Sequence, residues 1–330
     1  MERNTKWIIG GLVLVIIVLS ALLLHSMSQN TSTPSPNQPL RLLSGRVYAG
    51  LLTPKSFLIL NYAPLRNELE SYITAEHLNV SVYLVNLRDG ASIGINERKG
   101  YSPASLNKVP VAILIMKKIE DGDLTLDTPV PIPNELRTDT FGTLYKINAK
   151  ELPVHVLLEH MLKESDNTAF LILSKLADQK DAQLILSYFD YYSDDSVDNT
   201  KPGQETENGL VTPKSMYNVF SSLFLSTILT PEHSEYILRI LTNTTFDIKK
   251  IAQLPDNVTV SQKFGEKYVN GEKNFHSCGI IYAHQMRLFY CIMTKDMKEE
   301  DAIKTIGGMT HAIYEYAIET RSILDELSQN

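Results

Sequence analysis

The sequence predicts an α+β domain with strands at both ends and helices between them. Two short strand patterns lie near the N-terminal end of the domain, and three lie near its C-terminal end. A long stretch of helical periodicity separates the two groups, and helical patterns also precede and follow them. Because strands must pair to satisfy their backbone groups, we predict one five-stranded antiparallel sheet flanked by helices, with an all-helical lobe inserted after the second strand.

The N-terminal group of elements is a helix followed by a hairpin. Pro64–His77 begins with proline and carries apolar residues at helical spacing, which is typical of a helix that covers a core. Val80–Leu87 alternates apolar and polar residues, Arg88–Gly90 reads as a turn, and Ala91–Ile95 is a second strand.

The remaining elements follow from the same periodicities. Helical patterns occupy Ser105–Glu120, Glu151–Lys163, Asn167–Asp178, Pro213–Leu225, Pro231–Thr242 and Glu299–Leu327. Strand patterns occupy Val258–Phe264, His276–Tyr282 and Arg287–Thr294.

An apolar run near the N-terminus predicts a membrane anchor. Trp7–Leu24 contains only apolar and small residues, and as a helix rising ~1.5 Å per residue it would nearly cross a hydrocarbon core of ~30 Å. Arg3 and Lys6 precede the run, so this end should stay in the cytoplasm. The alternative is a signal peptide cut near Ser26–Ser28, which would release a secreted protein.

These signals divide the chain into four parts. We expect 1–6 to be a cytoplasmic tail and 7–25 a single-pass anchor in the cytoplasmic membrane. Residues 26–56, which begin with a stretch rich in Ser, Thr, Asn, Gln and Pro, form an extracytoplasmic linker. Residues 57–330 form the extracytoplasmic domain, with its helical lobe at about 105–257.

Composition excludes some functions. A net charge of −7 with no basic block argues against a nucleic-acid partner. His155 and His160 are five residues apart and do not share a helix face, so they form no metal pair. We expect a monomer that needs neither metal nor cofactor.

The two cysteines leave two alternatives open. If Tyr282 opposes Arg287 across the short 283–286 loop, Cys278 faces Cys291 on adjacent antiparallel strands. Facing Cβ atoms lie ~4.5–5.5 Å apart, near the spacing of a disulfide, and an exported domain permits one. Two reduced thiols packed in the core are equally compatible with the sequence.

A serine and a lysine at the start of the lobe form a candidate catalytic pair. Ser105 and Lys108 lie three residues apart, which places both on one helix face. A desolvated, neutral lysine can take the serine proton, and the helix N-terminus supplies free N–H groups for an oxyanion. This is the chain's only Ser-x-x-Lys, although Ser105 as a helix N-cap is the structural alternative.

Two further motifs complete a set. Ser165-Asp166-Asn167 lies between two helical runs, where alone it indicates a helix cap, and Lys263-Phe264-Gly265 ends the third strand. Ser-x-x-Lys, Ser-Asp-Asn and Lys-x-Gly in this order resemble the signature of penicillin-recognising serine enzymes. From about Pro64 to Leu327, including Thr-Pro-x-x-Met at Thr212–Met216, the chain is similar to class A β-lactamases and penicillin-binding proteins.

The resemblance implies a β-lactamase/transpeptidase-like fold and acyl-enzyme chemistry. Ser105 would attack the amide carbonyl with Lys108 as its base, and Ser165 would relay a proton to the leaving nitrogen. The oxyanion would bind between the backbone N–H groups of Ser105 and Glu266.

The resemblance also implies substrate contacts. Asn167 would bond Lys108 and the side-chain amide of the substrate. Lys263 would lie beside Ser165 and help to bind the substrate carboxylate. Gly265 would let its strand approach the ligand closely.

One departure from the family pattern concerns recognition. Phe264 stands where the family has Thr or Ser, which removes a donor to the substrate carboxylate. Glu266 stands where a small residue is usual, and its charge would repel an anionic substrate unless Lys267 offsets it. We interpret both as altered substrate recognition.

A second departure concerns deacylation. Asp190–Val211 contains no Glu-x-x-x-Asn, the segment that supplies the deacylating glutamate of class A enzymes. Glu205 and Glu207 are the candidate replacements. Without a placed base, water hydrolyses an acyl-enzyme slowly.

Three functions remain as hypotheses. The first is a β-lactamase of class A type that hydrolyses β-lactam amides. The second is a D-alanyl-D-alanine carboxypeptidase that acts on cell-wall peptide and is stalled by penicillins. The third is a non-catalytic cell-wall binding module, which would not require the catalytic residues to be intact.

Overall fold

The computed structural model describes residues 62–177, 185, 187–189, 210–269, 272–283 and 286–327. The predicted tail, anchor and linker lie outside these residues. None of the helices within them combines the length and the apolar character needed to cross a bilayer.

A five-stranded antiparallel sheet forms the centre of the domain, as predicted. Its order is β2-β1-β7-β6-β5, so the N-terminal hairpin joins the C-terminal strands through the β1–β7 pair. The strands are β1 (Val80–Asn86), β2 (Ser92–Ile95), β5 (Thr259–Val269), β6 (Glu272–Ala283) and β7 (Met286–Met297).

Seven of the helices in the described residues begin and end close to the predicted positions, and the short helix at Ile248–Ile251 was not predicted. The helices are α1 (Ala63–Ala75), α2 (Lys108–Glu120), α3 (Val154–Lys163), α4 (Asn167–Leu176), α5 (Pro213–Phe224), α6 (Pro231–Ile240), α7 (Ile248–Ile251) and α8 (Glu299–Leu327). Local chemistry fixes several starts: Thr212 and Ser215 form a capping box at α5, and Thr230 caps α6.

The predicted lobe is helical but not entirely so. The helix expected from Glu151 begins at Val154, and β4 (Glu151–Pro153) instead pairs with β3 (Pro129–Pro131). Proline explains the difference, because the residue before a proline is driven to extended backbone, and Pro153 itself has a ψ of 151°.

Two hydrophobic clusters hold the sheet between the lobe and the terminal helices. Ile113, Phe220 and Phe289 belong to the cluster on the lobe side. Leu65, Tyr290 and Ile306 belong to the cluster beneath α1 and α8. Successive residues of β7 point to opposite faces, so Phe289 and Tyr290 contribute to different clusters.

The predicted strand register at the cysteines is confirmed. Tyr282 opposes Arg287, and Cys278 opposes Cys291. Of the two open alternatives, the structure has the disulfide, which joins neighbouring strands of the sheet.

Candidate active site

Ser105 lies on a short turn that leads into α2. The helix predicted from Ser105 begins instead with a 3₁₀ turn, Ala104–Asn107, and becomes α-helical at Lys108. Ala104 has a φ of +49°, a backbone conformation that residues other than glycine rarely adopt. Such backbone conformations occur preferentially at functional sites. The turn presents Ser105 half-buried at the boundary between the lobe and the sheet.

The Lys108 side chain connects the first two motifs. Its Nζ lies 2.8 Å from Ser105 Oγ, 2.7 Å from Ser165 O, 3.2 Å from Ser165 Oγ and 2.7 Å from Asn167 Oδ1. The structure therefore brings together four of the residues that the sequence predicted for this site.

The geometry around Lys108 suits a neutral amine. The Ser165 carbonyl oxygen and the Asn167 amide oxygen can only accept hydrogen bonds. The two N–H bonds of a neutral Lys108 amine would therefore be donated to these two oxygens. Its lone pair is then left for the Ser105 hydroxyl. Burial lowers the pKa of Lys108 to about 7, although the Asp166 carboxylate opposes that shift. Such an amine can accept a proton from Ser105 at neutral pH.

Asp166 positions the second motif. Its Oδ1 accepts from the backbone N–H of Ala169 at 2.9 Å, and its Oδ2 accepts from that of Leu144 at 2.7 Å. The helix-cap interpretation of this motif is thus confirmed for Asp166. Gly142 is required beside it, because its φ is +91° and a Cβ there would overlap the Asp166 side chain.

Strand β5 passes directly beside Ser105. A Cβ on Gly265 would lie 3.2 Å from both Pro103 O and Ser105 N. The strand thus passes close to the Ser105 segment at Gly265, as predicted, and the Glu266 end of β5 lies beside Ser105.

Lys263 is fully buried at this boundary. Within the described part of the chain, its Nζ has no hydrogen-bond partner, so the expected contact with Ser165 is not made. The Phe264 ring covers the amine, with its centroid 4.2 Å from Nζ. Burial, and next the charge of Lys108, hold the pKa of Lys263 well below its usual range.

Phe264 and Glu266 are both engaged by other side chains. Phe264 is only 4% exposed and packs among the rings of Phe141, Phe246 and Phe275. Glu266 pairs with Lys273 across the sheet at 3.3 Å. Lys267, which the sequence analysis named as the counter-charge, is exposed, so Lys273 replaces it in that role.

The matching family model decides how these motifs are to be read. Residues 64–317 match the model of the β-lactamase enzyme family. This chain belongs to that family. It is therefore a β-lactamase-family serine hydrolase, and the predicted resemblance is confirmed at this level.

Two of the proteins that are similar to this chain are themselves β-lactamases. The chain is 22% identical over 265 residues to β-lactamase VEB-1 of Pseudomonas aeruginosa, covering 76% of this chain and 89% of that protein. The crystal structure of TLA-3 extended-spectrum β-lactamase matches with a TM-score of 0.69 at 18% identity, covering 78% of this chain and 100% of that one.

Two further similar structures are those of PBP-A and of a PBP-A mutant. The structure of PBP-A matches with a TM-score of 0.65 at 19% identity, covering 77% of this chain and 96% of that one. An acyl-enzyme complex of a PBP-A mutant with penicillin G matches at 0.64 and 19%, covering 80% and 99%. At these identities the likeness shows the fold alone.

His276 is a site residue of this β-lactamase-family protein that sequence reasoning missed. It is fully buried on β6 opposite Gly265, and its Nε2–H donates to Ser102 O at 3.0 Å. Burial lowers its pKa to about 4, so the ring is neutral. It holds the segment before Ser105 against the sheet. The sequence signal was a histidine within a strand pattern, which alone does not reveal a partner 174 residues away.

Thr140 was also missed. Its Oγ1 accepts from Asn167 Nδ2 at 2.9 Å, which orients the Asn167 oxygen toward Lys108. The loop that carries Thr140 has no motif that marks it in the sequence.

His160, Glu164 and Asp166 also form a group whose potential ligand atoms lie within 4.8 Å of one another. Protein contacts account for it, since Glu164 Oε2 accepts from Thr143 Oγ1 and lies 3.2 Å from His160 Nδ1, while Asp166 is engaged as a cap. Glu205 and Glu207, the candidate deacylation bases, lie outside the described residues.

Proposed function

We propose that this protein is a serine hydrolase of class A type that forms an acyl-enzyme with β-lactams through Ser105. The observation that carries the proposal is the Lys108 amine, which lies 2.8 Å from Ser105 Oγ while its other contacts include two acceptor-only oxygens. An amine held in this way serves as a general base for the hydroxyl.

The acylation step follows from this arrangement. The Ser105 proton passes to Lys108 Nζ as Oγ forms a bond to the carbonyl carbon. The oxyanion lies between the backbone N–H groups of Ser105 and Glu266. Ser165, 3.2 Å from Lys108 Nζ, returns the proton to the leaving nitrogen as the C–N bond breaks. Water then cleaves the ester and restores Ser105.

The second candidate is a D-alanyl-D-alanine carboxypeptidase, in which β-lactams stall as long-lived acyl-enzymes. One observation favours it: Asp190–Val211 carries no Glu-x-x-x-Asn to activate the deacylating water. The non-catalytic binding module is disfavoured, because a binding role does not require a buried lysine on a serine hydroxyl.

Intact-protein mass spectrometry of the full chain after addition of penicillin G tests the proposal. An adduct on Ser105 that disappears within seconds while hydrolysed drug accumulates supports the β-lactamase. An adduct that persists for hours supports the peptidase. If neither penicillin G nor a second β-lactam class gives any adduct, the proposed function is wrong.

We also propose that the domain is monomeric and works outside the cytoplasmic membrane, tethered through residues 7–25. The unbroken apolar run supports the tether, and the Cys278–Cys291 disulfide is consistent with export. Protease treatment of intact cells and of membrane vesicles checks the orientation. Protection of the domain in intact cells with permeable envelopes would contradict it.

A further inference from the structure

The substrate side of β5 carries a lysine that is sealed away from solvent. Lys263 is fully buried, and among the described residues nothing accepts a hydrogen bond from its Nζ. Burial of this kind disfavours the ammonium form of Lys263. A neutral amine is a weak partner for a carboxylate, because the charge that strengthens such a bond is missing.

An aromatic cluster forms the seal. The Phe264 ring lies over Lys263 Nζ and is itself fixed by three other rings, with centroid distances of 6.0 Å to Phe141, 5.5 Å to Phe246 and 6.4 Å to Phe275. Phe246 also packs on Phe275 at 5.2 Å. Phe264 packs against all three of the other rings, and together they supply apolar surface rather than hydrogen-bond donors beside Lys263 Nζ.

The local charge on the strand is also unfavourable to an anion. Glu266 follows Gly265 and stays one quarter exposed at its side chain. Its counter-charge, Lys273, is buried and shared with Glu299, whose oxygen lies 2.5 Å away. Lys273, the one cation among these three residues, is thus already engaged by both carboxylates. Desolvating a carboxylate without a paired donor is costly.

We infer that the Ser105 site prefers amide substrates whose group next to the scissile bond, at the Lys263–Phe264 edge, is uncharged over substrates that carry a carboxylate there. The inference rests on the proposed function, since it assumes that Ser105 is acylated. It assigns Phe264 as a specificity-determining residue, with Phe141 and Phe246 as positioning residues for its ring.

A matched pair of substrates tests the inference on the unaltered full chain. Penicillin G and its methyl ester differ in the charge of the group that would meet this edge and in one methyl group. The rate at which each acylates Ser105 is measured by intact mass at equal concentrations. We expect the ester to react about tenfold faster, in line with discrimination by one mismatched group. Equal rates, or a faster acid, would overturn the inference and leave the proposed function standing. If neither reagent acylates Ser105, the inference and the proposed function are both wrong.

Two substitutions at one position locate the effect. Phe264→Thr supplies a hydroxyl and uncovers Lys263, so the ester-to-acid ratio should fall toward or below one. Phe264→Leu keeps an apolar side chain without a hydroxyl and should retain the ester preference. A ratio that is unchanged in Phe264→Thr would contradict the assignment to Phe264. Thermal melting of both variants identifies a failure to fold, in which case the wild-type pair alone decides.

Discussion

The two sides of the active site differ in how completely their polar groups are paired. On the lobe side, Lys108, Ser165 and Asn167 form a connected network in which Lys108 Nζ has four contacts. On the strand side, Lys263 has no hydrogen bond among the described residues and lies under a phenylalanine. Both lysines are buried, but among the described residues only the Lys108 amine forms hydrogen bonds with oxygen atoms.

The difference in hydrogen bonding suggests a division of roles, in which the lobe side serves the proposed acylation and the strand side serves substrate recognition. The lobe side retains the groups to which we assign acylation under the proposed function, and their positions suit proton transfer. The strand side retains the lysine and the glycine of the family pattern, but an aromatic cluster replaces the hydroxyl beside them. A member of this family can therefore keep the residues needed for acylation while its substrate preference changes.

The largest expected effect comes from removing the nucleophile. Ser105→Ala should abolish covalent labelling by a penicillin probe, because Ser105 Oγ lies closer to Lys108 Nζ, at 2.8 Å, than the Ser165 hydroxyl, at 3.2 Å. The melting temperature should change little, since Ser105 is half-buried and its hydroxyl is not part of the core. Ser102→Ala, in the same segment, is the control that should still label. Labelling of Ser105→Ala would show that the nucleophile is another residue.

Replacing the base should have the next largest effect. Lys108→Ala should slow acylation by ~10²–10⁴-fold, the usual contribution of a placed general base. Lys108→Arg should be slowed as strongly, because a guanidinium stays protonated and cannot accept the proton. Stopped-flow acylation measures both, and Lys117→Ala on the exposed side of the same helix is the control. Wild-type rates in Lys108→Arg would exclude the base role.

His276 should make the fold sensitive to acid. Its pKa is lowered to about 4 from an ordinary 6.5, so the folded protein binds fewer protons than the unfolded chain between these values. The stability that it contributes is present above pH 6.5 and is lost as the pH falls toward 4. We expect a loss of about 2–3 kcal/mol in the free energy of unfolding between pH 7 and pH 4.5. His276→Gln should lack this component in urea titrations at the two pH values. An equal pH dependence in both proteins would contradict it.

Asp166 should shift the pH response of the network by a smaller amount. Its carboxylate raises the pKa of Lys108, so Asp166→Asn should move the midpoint of the acylation profile to lower pH. Glu164→Gln removes a neighbouring carboxylate that bonds Thr143 instead, and it should leave the midpoint in place. A midpoint that rises in Asp166→Asn would reverse the assigned sign.

Periodicity and motif order were sufficient to predict the sheet, the inserted lobe and the residues around Lys108. These features depend on local patterns or on a spacing that a helix imposes, as with Ser105 and Lys108. The register at Cys278 and Cys291 was also predictable, because one short loop sets it.

The strand side of the site was not predictable in the same way. The contacts of Phe264 with Phe141 and Phe246 join segments that are distant in sequence, and no spacing marks them. Lys273 replaced Lys267 as the partner of Glu266, because neighbours on one face of a sheet come from adjacent strands rather than from adjacent residues. The 3₁₀ turn at Ser105 depends on the positive φ of Ala104, for which alanine gives no signal.

The pH dependence of Ser105 acylation in the wild-type protein tests the central claim most directly, because that claim is a neutral Lys108 held on the nucleophile. The rate should rise with pH, pass its midpoint at about 7 and level off above it, since burial lowers the pKa of Lys108 to that value. A rate that is constant from pH 5.5 to 9, or that falls as the pH rises through 7, would contradict the account.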